Sequence, residues 1–586
     1  MDKKVIIVAN MRNLNNRQNK IQILSLPGWR LPKRKQMPET GCRIQDKKCR
    51  GQKTAVKGRK PKITKWATFF GLLLAGVFQF GMMLVALGSD SDTKPRLRQF
   101  DIRTISLPGK IEDINLLDLN GDGLVDVLVN RYEESGKTFQ RYLDVFYQKK
   151  GKGFETQPTG SVVVPVTATA YALGNWSDTP GIEVAYFTKG GLDYQNLNSL
   201  LTPQAELKPL IRNNHLLAYP VKYSLPLYLT PTDIDGNGSD DLIVPEEDGY
   251  RIYFQSRLTG QAEQFTTAFI PLKSEKRFEQ NSLYFLAIQD ALPNFLIKDV
   301  NNDGLKDIVI FDKNKLSYYL QTDAKEAGGR FRSKPSLEVP LTIITEMNAN
   351  EVRQVNTRLN DINRDGLDDI ILSMTGGAVD DLGSIQTSIF TFLAQRNGPN
   401  NFQYPANPTQ IINIKGVVPF WALTDLNEDN YPDLITASFQ MDLGSNIQKA
   451  ILRYLHLTYK IQSYQEKNQQ FAKYPDYEKT INFPLDLIGR GEKYFSHIYF
   501  QDFNGDHRPD VLTIRGPDRK NGELIIQLAK TKEDLRNPRA IAFWKDEYVK
   551  YPLEIPAGVK VSDLNADGRA DIILQYKSQF IIMLSK

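Results

Sequence analysis

The sequence predicts an all-β fold: a single β-propeller of seven or eight four-stranded antiparallel blades, eight being the expected number. One transmembrane helix and a disordered basic tail precede it. Three observations lead to this reading. A nine-residue acidic pattern, D-x-[ND]-x-[DN]-x-x-x-D, occurs seven times, starting at Asp118, Asp233, Asp299, Asp361, Asp425, Asp502 and Asp563. These starts lie 115, 66, 62, 64, 77 and 61 residues apart, and a fixed period of that size marks a repeat architecture. The 115-residue interval holds two periods, with a degenerate copy at Gly174-Asn-Trp-Ser-Asp-Thr-Pro-Gly-Ile-Glu183 that makes the eighth unit.

Residues 1–65 carry 19 Lys or Arg against three acids, Asp2, Glu39 and Asp46. Subtracting that +16 from the chain's +6 leaves −10 for residues 66–586, so the pI of 8.8 reflects the tail and not the repeats. The tail has no sustained apolar periodicity and is expected to be disordered. Trp66 to Leu87 form 22 residues without a charge, enough at ~1.5 Å per residue to span a ~30 Å hydrocarbon core. Basic residues before this segment, with Asp90 and Asp92 after it, place the N-terminus in the cytoplasm and the repeats outside the membrane. The charge of the tail is thereby accounted for without nucleic acid as a partner. Ala86 and Gly88 resemble a cleavage site, but the apolar run is long for a signal peptide, which favours an uncleaved anchor. Cys42 and Cys49, the two cysteines of the chain, lie in the tail; their C-x6-C spacing without His is no zinc motif, and cytosolic placement implies free thiols. Residues 88–98 are a polar linker, and residues 99–586 form one acidic domain.

Each repeat follows one plan. A short apolar strand leads into the acidic loop and a second leaves it, as in VDVLVN, DIVIFD and DIILQY. A third ends near Gln, as in LDVFYQ148, RIYFQ255 and LSYYLQ321. A turn and a Phe then open the fourth, as in FETQP, FTTAFIPL and FRSKPSLEVPL. Four short strands separated by turn signals are the blade pattern of a propeller. The last unit stops after its third strand, and Phe100–Pro108 reads as a fourth. It is expected to pair with Phe580–Leu584 and close the ring, covering an edge that would otherwise recruit other chains.

The loops carry the chemistry. Oxygens at positions 1, 3, 5 and 9 of a tight loop can converge on one hard cation, with a backbone carbonyl at position 7 and water completing the six to eight ligands of calcium. The candidate ligands are Asp118, Asn120, Asp122 and Asp126; Asp233, Asp235, Asn237 and Asp241; Asp299, Asn301, Asp303 and Asp307; and Asp361, Asn363, Asp365 and Asp369. They continue with Asp425, Asn427, Asp429 and Asp433; Asp502, Asn504, Asp506 and Asp510; and Asp563, Asn565, Asp567 and Asp571. Position 6 must turn sharply, which suits the Gly found in five copies; Asn430 tolerates the turn, and His507 is the least comfortable there. Up to seven structural Ca2+ ions are expected, with none in the degenerate copy. The competing reading is an acidic turn that needs no metal.

These loops, the apolar strand after each and the Gly-rich turn before Phe resemble FG-GAP/VCBS repeats, the family that forms the β-propeller of integrin α-subunits. The resemblance covers residues 100–586 and implies a propeller with calcium in its loops. Eight units exceed the seven blades of the integrin ring, and no integrin-type leg or inserted ligand-binding domain is visible. Such repeats occur in adhesins, lectin-like proteins, lyases and scaffolds, so the resemblance implies no single activity.

Loops between strands 2 and 3 point away from the acidic loops, and variable loops on a rigid scaffold usually carry binding. Three neighbouring ones, Thr375–Gln386, Phe439–Asn446 and Arg515–Glu523, are long, and the first two share Asp-Leu-Gly-Ser at Asp381–Ser384 and Asp442–Ser445. Asp381, Ser384, Asp442, Ser445 and Asp518 are the candidate partner-binding residues, for a protein or glycan outside the membrane. Gly190–Tyr223, with His215, reads as an insertion in the second unit. His215, His456, His497 and His507 sit in no HExxH, and the chain has no GxSxG and no phosphate loop. A binding or adhesion module is therefore expected rather than an enzyme. The alternatives are an envelope assembly scaffold and a propeller polysaccharide lyase or hydrolase.

Overall fold

The computed structural model describes residues 99–586 except 137, 178–180, 198–206, 218–223, 257–263, 283–284, 313, 323–329, 345–350, 379–380, 399–400, 440–453, 485–497 and 538. The tail, both cysteines, the apolar segment 66–87 and the linker lie outside the described residues. Among the described residues no helix is long and apolar enough to cross a membrane.

The strands gather into eight blades. Blade 1 runs from the centre outward through Lys110–Leu117, Asp126–Ser135, Thr138–Phe146 and Gly160–Val164. Blade 5 repeats this order with Glu351–Asn360, Asp369–Ala378, Gln386–Phe392 and Gln410–Lys415, and blades 4, 6 and 7 do likewise. Blade 8 takes three strands from Gly558–Ser562, Asp571–Gln575 and Gln579–Ser585, and its fourth is Phe100–Ser106. That pairing is antiparallel and runs from Phe100 opposite Ser585 to Ser106 opposite Gln579. The expected closure is present.

The second strand of each blade is a run of Val, Ile and Leu because neighbouring blades cover both its faces. The first six residues of Asp126–Ser135 and the first five of Asp369–Ala378 are buried. The core consists of eight apolar clusters, one at each joint between adjacent blades. The closing joint joins Ile573, Phe580 and Ile582 of blade 8 and Ile105 of its added strand to Ile114, Val127, Val129 and Phe146 of blade 1.

Four details differ from the sequence reading. Phe154, Phe331 and Phe402 do not open long fourth strands: they are buried anchors in the preceding turns, and the strands begin at Gly160, Leu337 and Gln410. Proline between each Phe and its strand (Pro158, Pro335, Pro408) removes a donor that the ladder would need. Gly190–Tyr223 is no insertion, because it contains blade 2's own outer strands, Gly191–Asn196 and Lys208–Ile211. Blade 3 has three strands rather than four, since Leu227–Leu229 pairs in parallel with the innermost strand of blade 2, Ala170–Gly174. The extra segment of the ring is a hairpin, Glu275–Ser282 with Phe285–Ala291, between blades 3 and 4.

Candidate metal loops and blade joints

Six of the seven acidic loops join the two innermost strands of their blade, and that of blade 3 leads from Leu227–Leu229, paired to blade 2, into blade 3's first strand Leu242–Glu246. The first aspartate folds back over its own loop. Asp118 Oδ1 accepts the N–H groups of Gly121 at 2.7 Å and Asp122 at 3.2 Å, and its Oδ2 accepts that of Gly123 at 2.8 Å. Asp233, Asp299, Asp361, Asp425, Asp502 and Asp563 accept the position-6 N–H in the same way. At position 3, Asn120, Asn301, Asn363, Asn504 and Asn565 accept the position-5 N–H and donate their amide to the position-5 carboxylate. Asp235 accepts from Asn237, while Asn427 accepts from Asp429 and donates across to the Arg539 carbonyl. Position 5 (Asp122, Asn237, Asp303, Asp365, Asp429, Asp506, Asp567) accepts the position-7 N–H.

These bonds bend the backbone twice. Position 6 has positive φ in every copy, from Gly304 at 88° to His507 at 69°. Position 4 is also left-handed, and four of the copies carry a non-glycine residue there: Asn302, Arg364, Glu428 and Ala566 at 56–60°. The sequence reading missed position 4, because the demand is hidden where the residue is not Gly.

Position 9 has a different task. Asp126, Asp241, Asp307, Asp369, Asp433, Asp510 and Asp571 are no more than 1% exposed. One carboxylate oxygen accepts the position-2 N–H at 2.7–3.1 Å. The other accepts an N–H from the end of the third strand, at Gln148, Gln255, Gln321, Ala394, Tyr464, Ala529 and Ser585. Position 9 thus ties the loop to the blade. Burial pushes Asp126 and Asp571 up to about 6, Asp241, Asp307 and Asp510 to about 7, and Asp369 and Asp433 to about 8. The two N–H donors pull the other way without offsetting the burial.

The loops are also where blades meet. The position-8 N–H of Val125, Ile182 and Asp368 is donated to the position-2 carbonyl of the preceding blade, at Leu564, Leu119 and Val300. At two other joints a Gln side chain from the third strand takes that carbonyl: Gln255 donates to Trp176 and Gln321 to Ile234. The Gln noted at the strand ends was the sequence signal for this latch, although it was not read as one.

The degenerate copy keeps the latch and shifts register by one residue. Glu183 stands at position 9 and accepts the N–H of Trp176, seven residues earlier, so Asn175 and not Gly174 occupies position 1. Trp176 fills the buried position-2 site held elsewhere by Leu, Ile, Val or Phe.

Whether the loop residues suit a divalent cation can be tested on blade 3, where an acid replaces Asn at position 3. Asp233, Asp235 and Asp241 each present an oxygen within 4.8 Å of the others, the one such group of three acids among the described residues. Calcium holds its ligands at ~2.3–2.6 Å, so two can stand up to about 5 Å apart across it. The donor set fits. Arg330 of blade 4 pairs with Asp235 at 2.8 Å and supplies one positive charge beside this loop.

Of the expected partner-binding residues, Asp381, Ser384 and Asp518 lie among the described residues. Thr375 belongs to the ladder, where its hydroxyl meets that of Thr387. Asp381 accepts the N–H of Gly383, and Ser384 bonds back to Asp381 and Ala378, so this pair caps its own exposed turn. Asp518 likewise caps a turn through Lys520 and Asn521. Asp442 and Ser445 lie outside the described residues, as does His497. His215 is buried against Phe187; its ring joins the Thr188 carbonyl and the Leu217 N–H, and burial lowers its pKa. His456 sits exposed on a strand, and His507 is a loop turn residue.

No protein-family model and no curated protein matches the chain. Among solved structures it is similar to an Agrocybe aegerita lectin that recognises non-reducing terminal N-acetylglucosamine, with TM-score 0.35 and 14% identity over 83% of this chain and 99% of that one. It is similar to the V. cholerae biofilm matrix protein Bap1, with TM-score 0.32 and 10% identity over 83% and 91%. The NanB sialidase of Streptococcus pneumoniae gives TM-score 0.27 and 10% identity over 82% and 69%. The resemblance to FG-GAP/VCBS repeats rests on the loops and blades themselves.

Proposed function

We propose that this chain is a calcium-stapled propeller that binds a glycan or protein partner outside a membrane, to which residues 66–87 anchor it. One observation carries the reading. In the seven loops the position-1 and position-9 acids are committed to holding the loop and its third strand, and at five joints the position-2 carbonyl holds the next blade. They serve as rigid structure, with oxygen lone pairs left over for a cation. Recognition then falls to the opposite face and to the inner wall of the ring. The loops that the sequence assigns to that face are Thr375–Gln386, Phe439–Asn446 and Arg515–Glu523, of which 379–380 and 440–446 lie outside the described residues.

The test is a screen of the full chain against panels of glycans and envelope proteins. Replacing the three loops by short turns follows for any ligand found. Loss of binding with an unchanged melting temperature supports the assignment of that face, and full retention sinks it. Protease treatment of intact cells tests the topology: the propeller should be cut and the basic tail protected.

A further inference from the structure

The joint between blades 5 and 6 is built differently from its counterparts. Residues three before the first loop aspartate lie on the innermost strand and face the next blade. At the joint between blades 1 and 2 this residue is Asn115, and its amide donates to the buried Tyr171 hydroxyl at 2.9 Å, so both polar groups are satisfied. At the next joint the equivalent pair is Ala172 and Leu229, which pack as apolar neighbours. Between blades 5 and 6 the pair is Arg358 and Trp421. The guanidinium lies over the indole at 4.3 Å from the ring centre. Trp421 is 2% exposed, and its Nε1 has no acceptor. Among the described residues no carboxylate pairs with Arg358. It is open to solvent, and the protein around it lowers its pKa through desolvation.

These two side chains line a pocket with Gln354, Asn356, Ser373 and Thr375. Gln354 stands opposite Thr375 and Asn356 opposite Ser373 in the ladder, so their side chains share one face of the blade. The position that is apolar at the joint of blades 2 and 3 is here lined with amides and hydroxyls. The volume is about 30 Å³, where one water needs ~10–15 Å³. That admits an anionic group of a few atoms, and a sugar ring would have to stay outside it. An unpaired guanidinium suits an oxyanion with two parallel oxygens, and an indole N–H without a partner suits a further acceptor.

We propose that this cleft binds the carboxylate or sulfate of an acidic sugar, with Arg358 holding the anion and Trp421 donating to it. The inference rests on the glycan-binding reading and adds to it the charge class of the ligand and the residues that select it.

The experiment titrates the full chain with glucuronate, glucose 6-sulfate and glucose, read by calorimetry and tryptophan fluorescence, with thermal melting as the check of folding. Glucuronate or the 6-sulfate should bind at least tenfold more tightly than glucose, and which of the two does so identifies the anion. Arg358→Gln should lose that preference, whereas Arg358→Lys should retain part of it and Trp421→Phe should weaken binding while keeping the ring. If Arg358→Gln lowers the melting temperature, Arg358→Lys and Trp421→Phe decide. Equal binding of all three sugars, unchanged in folded variants, overturns the inference and leaves glycan binding in place. Failure of acidic sugars to bind while a neutral glycan from the panel does overturns the inference alone. Failure of every glycan overturns both.

Discussion

Removing calcium should make the stability of this propeller fall steeply as pH rises. The cause is the buried aspartate at position 9. For Asp433 burial moves the carboxyl from 3.8 to about 8, and for Asp307 to about 7. Each tenfold change in proton affinity is worth about 1.4 kcal/mol, so ionising such a group in place costs several kcal/mol. The folded pKa lies above the unfolded one, so the folded chain holds protons that the unfolded chain has released. Stability from these groups is complete below about pH 4 and is lost as pH rises through 6 to 8. Five of the seven groups sit at about 7 or 8, and five protons correspond to about 7 kcal/mol per pH unit as an upper figure. The stability of a whole domain is typically ~5–15 kcal/mol, so the metal-free ring could not hold all seven ionised. Calcium bound as proposed would offset this. At free calcium ten times Kd each site contributes about 1.4 kcal/mol, and seven contribute ~10 kcal/mol. The assay is thermal melting in EDTA at pH 6, 7 and 8, repeated with millimolar calcium and with magnesium. In EDTA the melting temperature should drop by roughly 10 °C or more from pH 6 to 8. Calcium should flatten that slope, magnesium should not, and calcium binding near pH 7 should release protons. A melting temperature in EDTA that is independent of pH and unmoved by calcium would refute the reasoning.

Three further outcomes follow from single residues. His507→Gly should stabilise the ring by about 1 kcal/mol, because φ of 69° suits glycine; a lower melting temperature would mean the imidazole has a role of its own. Ile105→Ala, in the strand that closes the ring, should cost about 2–5 kcal/mol and speed hydrogen exchange in blades 1 and 8 before the others. Gln321→Met should leave the Ile234 carbonyl without its donor and cost about 1–3 kcal/mol, with faster exchange confined to the joint of blades 3 and 4.

The repeats were legible because each loop states its chemistry locally. Acid spacing, the apolar run after position 9 and the missing last strand were enough to place eight blades and the Phe100 closure. What stayed hidden was contact between units. Nothing local marks the position-8 N–H of Ile182 as a donor to Leu119, because every residue has an N–H. Arg358 and Trp421 looked like ordinary strand residues, since their meeting depends on how blade 5 faces blade 6. The degenerate copy, Gly174 to Glu183, has ten residues where the other loops have nine, so its sequence does not show whether the loop starts at Gly174 or Asn175. Only the bond from Trp176 to Glu183 sets that register.

The position-9 carboxylate joins three levels of this structure in one group. It closes its own loop through the position-2 N–H, and the carbonyl of that same residue is the acceptor for the next blade at Leu119, Trp176, Ile234, Val300 and Leu564. A cation that fixes the carboxylate therefore also fixes the residue on which the neighbouring blade hangs. Loss of a cation bound as proposed would then loosen two blades and not one. A ring closed by strand pairing instead of a covalent bond is most exposed to this at the joint of blades 8 and 1, where Val125 reaches Leu564 at 3.4 Å, longer than its counterparts at 3.0 and 2.9 Å. Chelation should thus open the ring there first, and hydrogen exchange in EDTA should rise in Phe100–Ser106 and Gln579–Ser585 ahead of the strands of blades 4 and 5.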